Sequence, residues 1–272
     1  MNPTITMLGT GSAFPTRSYN SCFLLRDNGL MLLVDAGGGN GILARLREAG
    51  TDASALRHFF VSHAHTDHIL GAVWILRAAA QRMREGGETE RLHLYGNSDV
   101  VEALRTICRL TLHTADYKRV EEATEFHIVA DGDCIDIDGH RTEFFDVRSM
   151  NVRQTGFRLQ LDNGLTLAAT GDEALTAHNA EAFRGADWLV CGAFCRFADR
   201  DIYQPYEKHH YTVADVARTA QETGIPNLVL VHCEDRSLPR REELYRSEAA
   251  GLYGGNLIVP EDGRVIDLSA YV

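Results

Sequence analysis

Six consecutive residues, His63-Ala64-His65-Thr66-Asp67-His68, gather three imidazoles and a carboxylate directly after the apolar run Phe59-Phe60-Val61. These are ligand types for zinc, iron, manganese or nickel. In an extended loop, side chains at i and i+2 point the same way, so His63 and His65 can grip one ion together. From Asp67 onward the pattern changes, because Ile69, Val73, Leu76 and Ala80 recur at helical spacing. Asp67 and His68 therefore fall at a helix N-terminus, turned toward a second ion beside the first. A single histidine in such a loop is more often a surface or capping residue. Three of them with an aspartate, at the mouth of a strand, form a metal-ligand cluster.

Two further positions share that context, a ligand type just past an apolar strand. Gly171-Asp172-Glu173 follows residues 165–170, and His232 follows Leu228-Val229-Leu230-Val231. Alone, Asp172 reads equally well as a turn residue, and His232 as a satisfied buried histidine. In company with the loop, the carboxylate can bridge two cations and the imidazole can complete the second.

The elements that must position these groups alternate along the chain. Residues 4–8 read as a strand running into Gly9-Thr10-Gly11-Ser12, and residues 21–26 and 30–34 flank the hairpin signal Asp27-Asn28-Gly29. Asn40 is placed to cap a helix whose Ile42, Leu43, Leu46 and Ala49 share a face, with Gly50 at its end. Ser98 is placed to cap another, carrying Val101, Leu104, Ile107 and Cys108 inward. Strands are expected near residues 134–137, 142–147, 156–161, 165–169, 188–191 and 228–231. Thr212 with Asp215 has the form of a capping box, backed by Val213, Val216, Ala217 and Ala220 and stopped by Gly224 and Pro226. Residues 81–90 are polar and contain glycine, which suggests an exposed loop. Alternation of this kind fits α/β architecture, with mixed sheets covered by helices.

Bulk properties narrow the function. At 44% apolar and 24% charged residues the composition is that of a globular protein. No apolar run approaches the ~20 residues of a membrane span. The N-terminus lacks an export pattern, so the cytoplasm is the expected location. The six cysteines form no CxxC pair and read mostly as buried thiols, with Cys233 notable for following a candidate ligand. A formal net charge of -11 argues against a broad nucleic-acid surface and favours a small-molecule substrate.

The motifs Leu8-Gly-Thr-Gly-Ser-Ala-Phe-Pro-Thr16, Leu33-Val-Asp-Ala-Gly37, His63-Ala-His-Thr-Asp-His68, Gly171-Asp172, His210-Tyr-Thr212 and Leu228-Val-Leu-Val-His232 occur in this order. In this respect the chain resembles the metallo-β-lactamase fold superfamily and, within it, the ribonuclease Z-like branch. The resemblance implies a four-layer αββα sandwich, a single domain over residues 1–272, with the site between the loop ends of two mixed sheets. It assigns His63 and His65 to metal one, Asp67, His68 and His232 to metal two, and Asp172 to a bridge. Asp35 supports the cluster by orienting a ligand imidazole. Asp67 both ligates and orients a metal-bound hydroxide, and His210 touches the scissile phosphate and protonates the leaving group, with His209 as its alternate. Dimers are common in the branch, so a homodimer is compatible with it.

One ligand of that pattern is missing. The branch places a third histidine for metal one before a Gly-aromatic step, and here the window from Phe144 to Phe157 holds none. Arg148 stands at the vacancy, with Ser149 second. A guanidinium stays protonated and cannot ligate. Three readings follow: one ion at the second position with Arg148 supplying charge at the first, two ions with water or a distant imidazole (His127, His140 or His113) filling in, or a degenerate site. Arg148 can also attract an anionic substrate group, or simply face solvent at a strand end.

The expected activity is that of a metal-dependent hydrolase, acting through metal-bound hydroxide on a small phosphodiester or similar ester. Zinc is the first expectation, with manganese, iron or nickel as alternatives. The same chemistry serves an amide, lactone or thioester, and a metal-binding protein without turnover is the rival of another class. Transfer-RNA 3′ processing is not expected. Ribonuclease Z carries a long Gly/Pro-rich arm where this chain has only residues 173–209, and Gly192 stands where the branch commonly has Glu. Residues 194–197 and 203–208 are candidate walls for His210. Glu234 and Asp235 are placed to orient His232, to bind a substrate hydroxyl, or to be solvated. The Gly9–Ser12 loop can approach a phosphate or simply turn tightly.

Overall fold

The computed structural model describes residues 2–86 and 90–270. Strands β1 (Thr4–Gly9), β2 (Cys22–Asp27) and β3 (Leu30–Val34) open the chain, and Asn28 and Gly29, at φ 38° and 99°, turn β2 back into β3. Helix α1 (Gly41–Glu48), strand β4 (His58–Phe60), and helices α2 (Thr66–Ile69) and α3 (Ala72–Arg84) follow. Next come β5 (Leu92–Gly96), α4 (Ser98–Thr111), α5 (Thr114–Ala123) and β6 (Thr124–Ile128). The chain then forms β7 (Cys134–Ile137), β8 (His140–Asp146), β9 (Thr155–Gln160) and β10 (Thr166–Ala169). It continues through α6 (Ala180–Phe183), β11 (Trp188–Gly192), α7 (Arg200–Tyr203), α8 (Val213–Thr223) and β12 (Asn227–Val231). Helix α9 (Arg241–Ala249) and strands β13 (Asn256–Ile258) and β14 (Val265–Asp267) complete it.

Two seven-stranded mixed sheets result, in the orders β14-β1-β2-β3-β4-β5-β6 and β13-β12-β11-β10-β9-β8-β7. Strands β3 to β6 run parallel in the first, and β10 to β13 in the second. The central strands β3, β11 and β12 are apolar at nearly every position because both faces are covered, while β6, β7 and β8 near the sheet ends carry polar residues. Ile5, Met7, Phe23, Leu25, Leu32 and Val34 face the core between the sheets, while Leu8, Leu24 and Leu33 pack under Ile42, Leu46 and Leu76 of the outer helices. In the second sheet Val229 and Val231 point inward, and Leu228 and Leu230 pack against Val213, Val216 and Ala217 of α8. Helices thus cover each sheet on its outer side, which is the expected αββα sandwich.

Several local expectations change. Asn97, not Ser98, caps α4: its backbone stays extended, and its side chain accepts from the N–H groups of Asp99 and Val100. Ile107 is only partly buried. Asn40 does not cap α1, because its own φ and ψ of -66° and -10° are already helical, and Leu43 faces outward. Residues 81–84 belong to α3, whose Ala79 and Ala80 stay packed up to that point. The remainder of the expected loop includes Gly87, Glu88 and Thr89, which lie outside the described residues. The capping box of Thr212 and Asp215 is formed, and Gly224 ends α8 at φ 73°. Among the described residues, no helix is long and apolar enough to cross a membrane.

Candidate metal centre and adjoining cavities

The candidate ligands all lie just beyond strand ends. Asp35 follows β3, Ser62 and His63 follow β4 after Val61, Asp172 follows β10 after Thr170 and Gly171, and His232 follows β12. Loops beyond the carboxyl ends of parallel strands are where open α/β sheets place their ligands. Asp35 and His232 hold φ at 56° and 55°, the left-handed region. That conformation costs a non-glycine residue roughly 1–2 kcal/mol, and here it aims both side chains into the same space.

Ligand-type atoms of His63, His65 and Asp172 lie within 4.8 Å of one another, and those of Asp67, His68 and His232 form a second group of the same tightness. Asp172 stands between the two. Its Oδ2 is 3.8 Å from His63 Nε2, 3.8 Å from His68 Nε2 and 3.7 Å from His232 Nε2, all beyond hydrogen-bond reach. His63 Nε2, His68 Nε2, His232 Nδ1 and Asp172 Oδ1 are buried with no hydrogen-bond partner among the described residues. Buried polar atoms are nearly always satisfied. Four orphans in one cluster, all of them nitrogen or oxygen donors, fit a divalent ion.

Burial pushes the His63 imidazole down to about 4 and that of His232 down to about 3, so both are neutral and able to ligate. Burial likewise resists a charge on His68, but the carboxylates of Asp35 and Asp67 outweigh it and raise its pKa well above the ordinary value. Burial also opposes ionisation of Asp172, and His63, His232 and His68 overcome it and hold that carboxyl well below the usual range. Asp35 organises the cluster from behind. Its Oδ1 accepts from the Ser62 N–H and its Oδ2 from the Ser62 hydroxyl, both at 2.8 Å, and Oδ2 also meets His68 Nδ1 at 2.8 Å. The Ser62 hydroxyl in turn lies 3.0 Å from His63 Nδ1. One carboxylate thereby sets the ring orientation of two ligand histidines.

His210 lies against the cluster, its ring 4.9 Å from that of His232 and 5.3 Å from Phe194. Burial lowers its pKa. His209, at φ 59°, is exposed. A cavity of about 240 Å³ on one side of His210 is lined by Arg148, Glu173, His178, His209 and Tyr211, among others. A second, of about 330 Å³, is lined on its other side by Phe14, Phe194, Tyr203, Lys208, His232 and Glu234.

Arg148 does not enter the first ligand position. It is exposed, and its guanidinium donates to the His178 carbonyl at 3.2 Å. The charged groups facing His63 are Asp172, His68, Asp35 and His65. Nor do the distant imidazoles fill the gap. His113 accepts from the Ala115 N–H, His140 meets Asp27 at 3.0 Å, and His127 faces His93 at 3.0 Å.

Glu234 is buried and Asp235 half-exposed, and neither bonds to His232. Glu234 accepts from the Tyr203 hydroxyl at 2.7 Å and the Arg236 N–H at 2.7 Å, and Asp235 from the N–H groups of Thr16 and Arg17 at 2.6 and 2.7 Å. The Gly9–Ser12 loop is a packing turn. The Gly11 and Ser12 N–H groups donate to Tyr19 and Cys233 carbonyls, and a Cβ on Gly9 would sit 2.1 Å from the Asn20 carbonyl oxygen. Cys233 is buried, and burial pushes its thiol up to about 11.

Sequence reasoning missed three participants. Ser62 relays Asp35 to His63, and the Ser21 hydroxyl accepts from the His232 N–H at 2.8 Å. Burial, with the Asp172 charge beside it, pushes Glu173 up to about 7 at the cavity wall. Only its adjacency to Asp172 could have flagged Glu173. The two serines carry no signal in one dimension.

A family model described as anti-Pycsar protein Apyc1 matches residues 3–240. Ribonuclease Z of Mycobacterium marinum is 28% identical over 98% of this chain and 99% of its own length. Among solved structures, the metallo-beta-lactamase fold protein YhfI from Bacillus subtilis superposes with a TM-score of 0.78 at 22% identity, covering 98% of this chain and 99% of that one. Human tRNase Z, short form, gives a TM-score of 0.75 at 19% identity, covering 97% and 99%.

Proposed function

The chain belongs to the family of anti-Pycsar protein Apyc1, on the ribonuclease Z-like metallo-β-lactamase fold, and from that premise we propose that it hydrolyses a small phosphodiester. Family and fold support the coarser statement, that it is a metal-dependent hydrolase. His63, His65 and Asp172 would hold one ion, and Asp67, His68, Asp172 and His232 a second. Nitrogen and oxygen ligands of this kind suit zinc, and also manganese, iron or nickel. Bound there, a divalent ion lowers the pKa of water toward neutrality and polarises a phosphoryl oxygen. Arg148, tied to His178 at the rim of the smaller cavity, leaves the first position to an ion and is free to attract an anionic group.

His210 carries the choice of a diester. It lines both cavities, so a group centred beside it has room for one substituent on each side. In the reaction, water adds to phosphorus as the bond to the leaving oxygen breaks. Asp67 would orient the attacking water and receive the proton it gives up, and His210, in its protonated form, would donate the proton that the leaving oxygen takes up. Asp35 keeps His68 and, through Ser62, His63 in place.

Small size is favoured over a transfer-RNA precursor. Residues 173–209 are folded into α6, β11, α7 and short turns rather than an arm, and the net charge of -11 repels a phosphate backbone. The experiment is to offer the zinc-loaded protein bis(p-nitrophenyl) phosphate, a lactone, a thioester and a transfer-RNA precursor in parallel. Turnover of the phosphodiester above the others is expected. Turnover of the lactone or thioester alone would assign the same centre to carbon esters, processing of the precursor would restore the nucleic-acid substrate, and inactivity toward all four would leave a metal-binding protein.

A further inference from the structure

Away from the catalytic cluster, the pairing of β5 with β6 brings together a second set of ligand types. The register sets His93 opposite Glu125 and Tyr95 opposite His127. Residues two apart on a strand share a face, so all four side chains lie on the face that Tyr95 turns toward the core between the sheets. We infer that His93, Glu125 and His127 form a separate metal site that takes a first-row divalent ion, zinc foremost.

The atoms are close to ligand spacing. His93 Nδ1 and His127 Nε2 face each other at 3.0 Å, and the Glu125 oxygens stand 3.9 Å from the first and 3.8 Å from the second. Donors about 2.0–2.1 Å from a tetrahedral zinc lie roughly 3.3 Å from one another. The two nitrogens are within a few tenths of an ångström of that separation. Glu125, with its side chain 48% exposed, closes the rest by a change of rotamer. It hydrogen-bonds neither ring at its present distance.

The rings are held in place from below. His58 stacks on His93 at 5.3 Å, and Tyr95 stacks on His127 at 4.8 Å. Both nitrogens of His58 are already engaged, by Tyr95 at 3.2 Å and Asp138 at 2.9 Å. His58 is therefore a positioning residue and not a ligand. Two imidazoles and a carboxylate, with further positions open to water, select zinc, nickel or iron over the oxygen-seeking magnesium and calcium. Strand β6 ends its sheet, so the ion would clip an edge strand to its neighbour. None of the three ligands lines the cavities beside His210.

The test is a calorimetric zinc titration of protein whose catalytic cluster is already loaded. Wild type is expected to take up one ion more than the His93→Ala/His127→Ala variant, and Glu125→Gln to bind that ion at least tenfold more weakly. Phosphodiester hydrolysis should be unchanged in both variants. Should the double variant fail to fold, His127→Gln carries the same expectation. Equal ion counts and equal affinities in wild type and the folded variants would overturn the site. Because the readout is ion binding, it stands apart from any failure of the hydrolase reading.

Discussion

Asp35 touches the cluster only through hydrogen bonds, yet both His68 and Ser62 depend on it. Asp35→Ala should weaken metal binding roughly 10–100-fold, the usual consequence of losing an orienting partner, as read by competition with a chromophoric chelator. Unchanged affinity would show that the rings orient themselves. His210→Ala should lower kcat by about 10²–10⁴, the range of a general acid, without changing the number of ions bound, while His209→Ala stays near wild type. Equal losses in both variants would contradict the distinction drawn between the two histidines. At this scale the sequence was informative wherever ligand types crowd together. His63 to His68 announce themselves, and Asp172 and His232 follow from their strands. Ser62 and Ser21 could not be read, because their roles arise from loops that meet only in the folded chain. Arg148 stood out by residue type, but its direction was a matter of local backbone, which turns at φ 57°.

Elements set these residues through close backbone approach. A Cβ on Gly192, in β11, would fall 1.8 Å from the Asp172 carbonyl oxygen. Gly192→Ala should therefore destabilise the fold by about 1–3 kcal/mol, as overpacking does, and weaken metal binding by shifting Asp172. Thermal unfolding with a parallel metal titration checks both effects. Asp235 ties the loop before β2 to the loop after β12. Burial opposes its charge, but the Thr16 and Arg17 N–H groups outweigh it and hold its pKa below the ordinary value. A depressed carboxylate contributes stability above its unfolded pKa of about 3.9 and loses it as pH falls through the lower folded value. Asp235→Asn should thus cost, after screening by solvent at this half-exposed position, no more than about 0.5–1 kcal/mol at pH 7 and converge on wild type in acid, as followed by denaturant melts across pH. A pH-independent difference would contradict the assignment. Long apolar strands and the capping box of Thr212 were legible at this scale. Strands β13 and β14 were not, because each has only three residues, and β5 and β6 were not, because His93, Glu125 and His127 put polar groups on a face that packing normally reserves for apolar ones.

For the whole molecule, the ordered motifs carried the resemblance that implied the αββα sandwich, and all of them except His210-Tyr-Thr212, which leads into α8, end or follow a strand. Substrate choice was not legible, because the two cavities draw their walls from segments scattered between residues 12 and 236. Removing the metal should lower the melting temperature as well as abolish activity, since the cluster ties loops from both sheets and binding to the folded state alone stabilises it. The most direct test of the central claim is hydrolysis of bis(p-nitrophenyl) phosphate by protein carrying a measured zinc content, beside Asp67→Ala and His68→Ala. Turnover that tracks two ions per cluster, stops with chelator and is lost in both variants is the predicted result. Turnover that persists in those variants, or none at full zinc occupancy, would contradict it.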